Sequence, residues 1–449
     1  MTYSRLAPLF LIALLVSTSA ASQSPASPNT PAGTVLAAWL DAFNSGEKAR
    51  LEQFEVKYDG RDPNAVENLL RFRANTGGFD LGSIRKSTAT YIEYTAKERA
   101  TGREVVGMLA VSGAELPRVE NSQVRLVSPG ARFIGFEVDA ATRKRVVDGV
   151  IEKLNENYVF PETARKMEAA LRKVEKRGEF KAVTDGDQFA RLLTTQLQQV
   201  SGDRHLRVIF SPVELPQFPT TSAPPPPTEE GRRALLRDNC GFEKVERLAG
   251  NVGYVKFNQF GDPEICKEIA VAAMTFISNA DAVIFDMREN GGGRPDMVAF
   301  LTSYLFAERT HLNDFWNRKT GETQESWTSE DVPGKKITTQ PVFVLTAKRT
   351  FSGAEEFSYN LKHLKRATIV GEFTGGGAHP LRGHRIDERF SIGVPDSRPI
   401  NAVTKTNWEG TGVEPDVQVA AADALATAQK LAVEKVRATG GGPVSKPAG

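Results

Sequence analysis

The chain contains very little cysteine: only Cys240 and Cys266 occur among its 449 residues. Two thiolates cannot build the four-cysteine sites that hold structural zinc, and neither cysteine has neighbours that suggest a mixed zinc site. An even number of cysteines permits one disulfide in an exported protein. The sequence alone therefore leaves two interpretations open, a disulfide between these residues or two free buried thiols.

An excess of charge of either sign is also missing. The 57 basic and 55 acidic side chains leave a formal net charge of +2. A protein that binds nucleic acid or an anionic surface through its overall charge carries a clear basic excess. We therefore expect neither of these as a partner.

Long apolar runs are absent as well. The run at 6–16 is too short to span a bilayer, and no later stretch is apolar enough for a membrane helix. This run follows a basic start, Met1–Arg5, and precedes small residues at 18–21, which is the pattern of a secretory signal. We predict a signal peptide over 1–21 and an exported protein, periplasmic or extracellular after cleavage. A lipid anchor is not expected, because no cysteine lies near the cleavage site.

Changes in composition and periodicity divide the rest of the chain, whose length permits two or three domains. The predicted divisions are a disordered spacer at 22–33, a small α+β accessory domain at 34–130, a helical bundle at 139–210, a proline-rich linker at 211–231, a core at 232–420, and a C-terminal helix and tail at 421–449. The accessory domain vaguely resembles cone-shaped domains of helices and a curved sheet. No cluster of acids, histidines or cysteines marks chemistry in the accessory domain, so we interpret it as an interaction or scaffold module.

The core alternates short apolar runs with helical patterns. Strand-like runs at 252–257 and 282–286 are each followed by a helical pattern, and the same order recurs from Pro341 to Val370. Strands that alternate with helices predict an α/β core. In the second repeat, Ser352 lies where a strand turns into a helix.

Ser352 has two interpretations. Ser352 followed by Glu355 is a capping box, which would begin the helix without any chemistry. A serine at such a turn can also be a nucleophile, with the Gly353 amide at the helix N-terminus stabilising an oxyanion. The two interpretations are compatible.

Gly291-Gly292-Gly293 forms a second turn of interest. The Gly-Lys-Ser/Thr sequel of a phosphate loop and the glycine spacing of a dinucleotide fingerprint are both missing, so no nucleotide is expected. The turn is either a plain tight turn or a place of close backbone approach. In the second case an amide of Gly291 or Gly292 would be a second oxyanion donor.

Several short sequence words together carry a resemblance. They are Phe285-Asp286-Met287-Arg288-Glu289-Asn290-Gly291-Gly292, Ser352-Gly353-Ala354-Glu355, Ile369-Val370-Gly371-Glu372, Thr374-Gly375-Gly376-Gly377 and Gly412-Val413-Glu414-Pro415-Asp416. Over roughly 140–420 the chain resembles the tail-specific, or C-terminal processing, serine peptidases. It is closer to their interphotoreceptor retinoid-binding-protein-like and tricorn-like branch. The resemblance implies a crotonase- and Clp-like spiral of ββα units.

The resemblance also implies catalytic roles. Processing peptidases carry a lysine base in the loop after the second strand, and the matching position here is Gly377. The tricorn-like arrangement uses a histidine from the helical region and an acid near the C-terminal glycine word. His205 and Glu409 fit these two roles, although a lone histidine or loop acid is more often structural. Weaker alternatives are Glu414 as the acid, His379 or His384 as lining of the cleft, and Lys348 or Lys362 as the base.

These expectations combine into one function. The chain is expected to be an exported serine peptidase that acts on peptides or unfolded protein and needs no metal or other cofactor. Ser352, His205 and Glu409 would be catalytic, with Gly353 and Gly291 or Gly292 binding the oxyanion. The alternatives are a non-catalytic carrier of apolar ligands on the same fold and a small-molecule esterase or amidase. The peptide-binding PDZ module of processing relatives has no room between His205 and the core strands.

Overall fold

The computed structural model describes residues 27–60, 65–127, 131–217 and 228–438. The predicted signal peptide and the end of the C-terminal tail lie outside the described residues, as does the middle of the proline-rich linker, 218–227. The chain divides into two compact units, 1–133 and 134–449. Within the described residues, no helix is both long and apolar enough to cross a membrane.

The first unit consists of helices followed by an antiparallel sheet. Its elements are α1 (Pro31–Ser45), α2 (Lys48–Tyr58), α3 (Ala65–Thr76), β1 (Phe79–Ser87), β2 (Tyr91–Glu98), β3 (Glu104–Val111) and β4 (Val119–Leu126). The strands lie in the order β1-β2-β3-β4, and the apolar faces of the helices pack against one face of the sheet. Helices followed by strands match the predicted order, but the sequence reading missed α3 and β1. The limits of the accessory domain stay a prediction.

The second unit begins with amphipathic helices. These are α4 (Ala140–Asn157), α5 (Pro161–Lys176) and α6 (Gly186–Ser201), which lead into β5 (Arg207–Phe210). Each helix begins at a clear signal: Asp139 and Asp185 cap α4 and α6 through their side chains, and Pro161 begins α5. Gly202 ends α6 in the left-handed conformation, with φ of 71°. The chain then turns at once into the segment that contains His205.

A six-stranded sheet forms the centre of the second unit. The remaining elements of this unit, which include the strands of this sheet and of two three-stranded sheets, are α7 (Glu229–Arg237), β6 (Phe242–Leu248), β7 (Val252–Phe257), α8 (Pro263–Ile277), β8 (Ala282–Asp286), α9 (Pro295–Ser303), β9 (His311–Asn317), β10 (Thr323–Trp327), β11 (Val342–Thr346), α10 (Gly353–His363), β12 (Ala367–Gly371), β13 (Leu381–Arg385), β14 (Phe390–Pro395), β15 (Ser397–Asn401), β16 (Val417–Gln418) and α11 (Ala424–Ala438). The order is β16-β12-β11-β8-β7-β6, parallel except where β6 pairs with β7. The α/β class is therefore confirmed, while the spiral of ββα units stays a prediction. Helix α7 begins inside the predicted linker.

The parallel pairing decides where the chemistry can lie. Leu345 of β11 is level with Asp286 of β8, so the two strands end side by side. The glycine turn follows β8 and Ser352 follows β11. Loops at the carboxyl ends of neighbouring parallel strands share one edge of the sheet, which is the usual place for a site in open α/β folds.

A small antiparallel sheet joins distant parts of the chain at this edge. Its order is β13-β14-β5, with Gly393 opposite Arg207. Strand β5 begins two residues after His205, and β13 begins two residues after His379. Both histidines are thereby held at the start of paired strands, although 174 positions separate them in the sequence.

The two cysteines form a disulfide. Cys240 and Cys266 have Cα atoms 5.7 Å apart, and both side chains are fully buried. The structure thus decides between the two alternatives that the sequence left open. The bond ties the segment before β6 to helix α8.

We predict a pH-dependent stability from Glu356, which is 3% exposed in α10 and accepts a hydrogen bond from the Asn313 amide at 3.1 Å. Burial raises the pKa of its carboxyl from 4.5 to about 8. Between these values the unfolded chain loses a proton that the folded protein keeps. The free energy of unfolding should therefore fall as pH rises from about 4.5 to about 8, by on the order of 4 kcal/mol.

Glu356→Gln removes this titration and should be the more stable protein at pH 8. Denaturant unfolding of parent and variant at pH 5 and pH 8 measures the effect. Parallel losses of stability in both proteins would show that Glu356 is not the source.

Candidate active site

Ser352 has a strained backbone at the start of α10. Its φ is 52° and its ψ is −119°, a conformation that costs a residue with a Cβ atom about 1–3 kcal/mol. The turn before it is held by Thr350, whose hydroxyl donates to the Met287 carbonyl at 2.8 Å and accepts from the Ala347 amide at 2.9 Å. A serine on a strained strand-to-helix turn is the arrangement that exposes a nucleophilic hydroxyl at the edge of a sheet.

The Glu355 carboxylate holds the strained turn. It accepts hydrogen bonds from the Ser352 amide at 2.8 Å, the Thr374 hydroxyl at 2.5 Å, and the amides of Gly376 at 2.6 Å and Gly377 at 2.9 Å. The side chain is completely buried, and burial raises its pKa against the opposing effect of these four donors. One carboxylate therefore ties the serine turn to the glycine loop after β12.

The predicted oxyanion donors are not equally available. The Gly291 amide donates to the Asn258 carbonyl at 3.1 Å, and the Gly292 amide donates to the Asn290 side chain at 2.8 Å. Both hydrogens are thus already used in this conformation. Gly353 is the first residue of α10, so its amide has no acceptor within the helix.

Gly293 offers an amide that the sequence reading did not consider. None of the hydrogen bonds between described residues uses its N–H. The Gly293 nitrogen would lie 3.1 Å from a Cβ atom placed on Gly353, and a Cβ on Gly292 would lie 2.6 Å from the Gly353 nitrogen and 2.7 Å from Cβ of Ser352. The glycine turn and the serine turn are therefore in close backbone contact, which only glycine permits at Gly292, where φ is 101°.

His205 reaches the same edge from the helical region. Its ring lies 4.7 Å, centroid to centroid, from the ring of Phe351, the residue before Ser352. A Cβ atom on Gly377 would lie 2.2 Å from the Phe351 ring and 2.8 Å from Cε1 of His205. The two rings therefore occupy the space next to Gly377, the position at which processing peptidases carry their lysine.

The surroundings of His205 favour a neutral imidazole. The side chain is 9% exposed, and its buried Nδ1 has no hydrogen-bond partner among the described residues. Burial lowers its pKa from 6.5 to about 4, with smaller lowering by His379 and Arg207, although the Asp203 carboxylate acts in the opposite direction. A neutral imidazole can accept a proton at neutral pH, as a general base must.

Asp203 is the nearest acid to this imidazole. One carboxylate oxygen, Oδ1, accepts the His205 backbone N–H at 2.9 Å and lies 4.0 Å from Nδ1 of its ring. The other, Oδ2, accepts from the Tyr158 hydroxyl at 3.2 Å and lies 3.1 Å from Nδ1 of His379. Asp203 is 1% exposed, and its contacts with Tyr158, His205 and His379 hold the carboxylate in one orientation.

Glu409 lies beside His379. Its Oε2 accepts from the Ala378 amide at 2.6 Å and is 3.4 Å from Nδ1 of His379, whereas its Oε1 is buried and has no partner among the described residues. Burial, together with the nearby Asp203 charge, raises its pKa from 4.5 to about 7, although His379 acts in the opposite direction. In the described contacts, Glu409 therefore connects to His205 through His379 and Asp203, and its role as the supporting acid stays a prediction.

The remaining candidates lie in different surroundings. Glu414 is exposed, and its carbonyl accepts from the Lys362 ammonium, which also pairs with Asp416 at 3.2 Å. Lys348 is exposed in the turn after β11. His384 is half-buried on β13, and burial lowers its pKa.

The sequence analysis did not assign a role in the site to Asp203, Glu355 or Gly293. Asp203 stands two residues before the candidate histidine, and Glu355 was interpreted only as part of a capping box. An acid close to a candidate base was the available signal for Asp203. The other two depend on contacts with loops far along the chain.

Asp203, His379 and Glu409 also place one possible metal-ligand atom each within 4.8 Å of one another.

Two family models match the chain. Residues 251–419 match Peptidase family S41, and residues 140–238 match the N-terminal domain of Peptidase_S41 in eukaryotic IRBP. The carboxyl-terminal-processing protease of Synechocystis sp. is 34% identical over 131 residues, which are 29% of this chain and 29% of that protein. The chloroplastic carboxyl-terminal-processing peptidase 1 of Arabidopsis thaliana is 25% identical over 39% of this chain and 35% of its own length.

The matched parts of these curated relatives are thus about a third of their length. Among solved structures, the photosystem II D1 C-terminal processing protease is 16% identical to this chain, with a TM-score of 0.39. The match covers 63% of this chain and 94% of that one.

We predict that Glu355→Gln destabilises the second unit by roughly 3–5 kcal/mol, because an amide cannot accept from all four donors that now face a carboxylate. Denaturant unfolding at pH 7 measures the loss. Glu356→Gln is the matched control, since it makes the same change one residue along the same helix at a carboxylate with one described hydrogen bond. Equal effects of the two substitutions would contradict the proposed importance of Glu355.

Proposed function

The chain belongs to peptidase family S41, and on that premise we propose that it is a serine peptidase in which Ser352 attacks the peptide carbonyl. The observation that carries the proposal is the strained backbone of Ser352 at the N-terminus of α10. A cap alone does not require this strain, because ordinary N-cap residues have extended backbone angles. The Glu355 carboxylate holds the strained Ser352 backbone in place by accepting hydrogen bonds from Ser352 and from the glycine loop. Backbone strain that the surrounding structure maintains in this way is typical of a functional site.

His205 is the proposed general base. In the proposed mechanism it takes the proton of Ser352 as the hydroxyl oxygen bonds to the carbonyl carbon, and it gives that proton to the leaving amine. Support comes from its low pKa, its contact with Phe351 and its position beside Gly377, where relatives carry a lysine. The imidazolium that forms during the reaction would face the Asp203 carboxylate, which favours the charged state.

Backbone amides are the proposed oxyanion donors. The Gly353 amide is the first donor, and the Gly293 amide is a better second donor than Gly291 or Gly292, whose hydrogens are already bonded. Two such donors directed at the developing negative charge are a large part of acyl-transfer catalysis. The proposal keeps Glu409 as a supporting acid that acts through His379 and Asp203.

The proposed substrate is a peptide or an unfolded protein in an oxidising compartment. The Cys240–Cys266 disulfide supports export, because disulfides persist mainly outside the reducing cytosol. Secretion by a signal peptide, and the periplasmic or extracellular location, are part of this proposal.

We predict that a fluorophosphonate probe labels the protein and that Ser352→Ala abolishes the labelling, because the probe reacts only with an activated hydroxyl. Ser358→Ala is the matched control: it removes a buried hydroxyl from the same helix, where Ser358 donates to the Ala354 carbonyl. His205→Ala should reduce peptide turnover by at least about 100-fold. Unlabelled parent protein would favour a carrier of apolar ligands, and turnover of esters without peptides would favour an esterase.

A second prediction concerns the pH dependence of kcat/KM. If Glu409 acts as a carboxylate, activity should fall as pH drops below about 7, where this group becomes protonated. Glu409→Gln should remove this fall in activity at acidic pH. If only His205 had to be unprotonated, activity would fall near the His205 pKa of about 4. A profile from pH 4 to 9 checks this, and a fall near 4 in the parent protein would show that ionised Glu409 is not required.

A further inference from the structure

The cluster of Asp203, His379 and Glu409 brings two carboxylates onto one imidazole nitrogen. Nδ1 of His379 is 3.1 Å from Oδ2 of Asp203 and 3.4 Å from Oε2 of Glu409, so one imidazole stands between two carboxylates. The three side chains are 1%, 3% and 17% exposed, so water screens the interactions between these groups only weakly.

Two of the three spacings between these atoms suit a metal site. Tetrahedral zinc with bonds of about 2.0–2.1 Å places its ligand atoms about 3.3 Å apart. The two separations from Nδ1 of His379, 3.1 and 3.4 Å, lie on either side of this value, and all three ligand atoms lie within 4.8 Å of one another. Imidazole nitrogen and carboxylate oxygen are both ligands that Zn²⁺ accepts, and two carboxylates would neutralise the ion.

A second observation points to the same place. The His205 side chain is more than nine-tenths buried, yet its Nδ1 has no hydrogen-bond partner among the described residues. This nitrogen lies 4.0 Å from Oδ1 of Asp203, the second oxygen of the carboxylate whose Oδ2 contacts His379. A buried ring nitrogen that no protein group satisfies can bind an ion once it has lost its hydrogen.

We propose that Asp203, His379 and Glu409 bind a divalent transition-metal ion of the Zn²⁺ class, with Nδ1 of His205 as the fourth ligand, and that the bound ion inhibits hydrolysis. The ion replaces the hydrogen that His379 shares with the two carboxylates, so metal and proton compete for Nδ1. A cation held next to His205 opposes the imidazolium that forms when Ser352 loses its proton. The inhibitory part rests on the proposed function, whereas the binding part does not.

The binding test uses the full chain with Ser352→Ala, titrated with zinc sulfate in a calorimeter. One ion per chain is expected, and Co²⁺ at the same site should give the visible absorption of a tetrahedral nitrogen and oxygen ligand set. His379→Ala in this background should weaken binding by more than about 100-fold, because loss of a direct ligand exceeds the roughly 10–100-fold effect of an outer-shell change.

The chain offers a matched control in His311, which lies 2.8 Å from Asp314 as a second partly buried histidine–aspartate pair. His311→Ala should leave Zn²⁺ binding unchanged. If His379→Ala fails to fold, Glu409→Gln takes its place and should also weaken binding. Absence of one bound ion per chain, or loss with His311→Ala but not with the cluster variants, would overturn the site.

The inhibition test uses the parent protein and a peptide substrate. Zn²⁺ should reduce turnover and EDTA should restore it. Metal binding without any loss of turnover would overturn the inhibitory role while leaving both the site and the peptidase intact. A protein that binds the ion but never cleaves peptides would instead contradict the proposed function.

Discussion

A single buried carboxylate organises the site. Glu355 accepts four hydrogen bonds, from the serine turn on one side and from the glycine loop 374–377 on the other. The cost of burying its charge is offset only while all four donors are present. The strained backbone of Ser352 is therefore stable only when the loop after β12 is in place, so the proposed nucleophile and the loop next to His205 form together.

The second constraint is the pairing of β5 with β14. This pairing brings His205, which follows the helical bundle, to a site whose serine lies almost 150 residues further along the chain. Because β13 pairs with the other edge of β14, the same small sheet also places His379 next to Asp203. The bundle and the core thus contribute to one site through backbone hydrogen bonds, which fix the strand register more firmly than side-chain contacts alone.

Burial has opposite effects on the two kinds of titratable group in the site. It keeps the imidazole of His205 neutral and therefore able to accept a proton, and it makes the carboxyl of Glu409 hard to ionise. Asp203 lies between them and contacts both histidines. The acid closest to the proposed base is consequently not the one that the family pattern suggested, and the same geometry places two carboxylates on Nδ1 of His379.

The sequence by itself determined the α/β class, most core strands, the strand-to-helix position of Ser352 and the segments that contain the candidate histidine and acid. These features depend on local periodicity, turn residues and short words, which the chain carries in order. The tertiary structure alone decided that the cysteines are bonded, that Gly293 rather than Gly291 or Gly292 has a free amide, and that Asp203 stands between His205 and His379. These features depend on which loops come into contact when strands that are tens to hundreds of residues apart in the sequence pair with each other. A local sequence pattern does not contain that information.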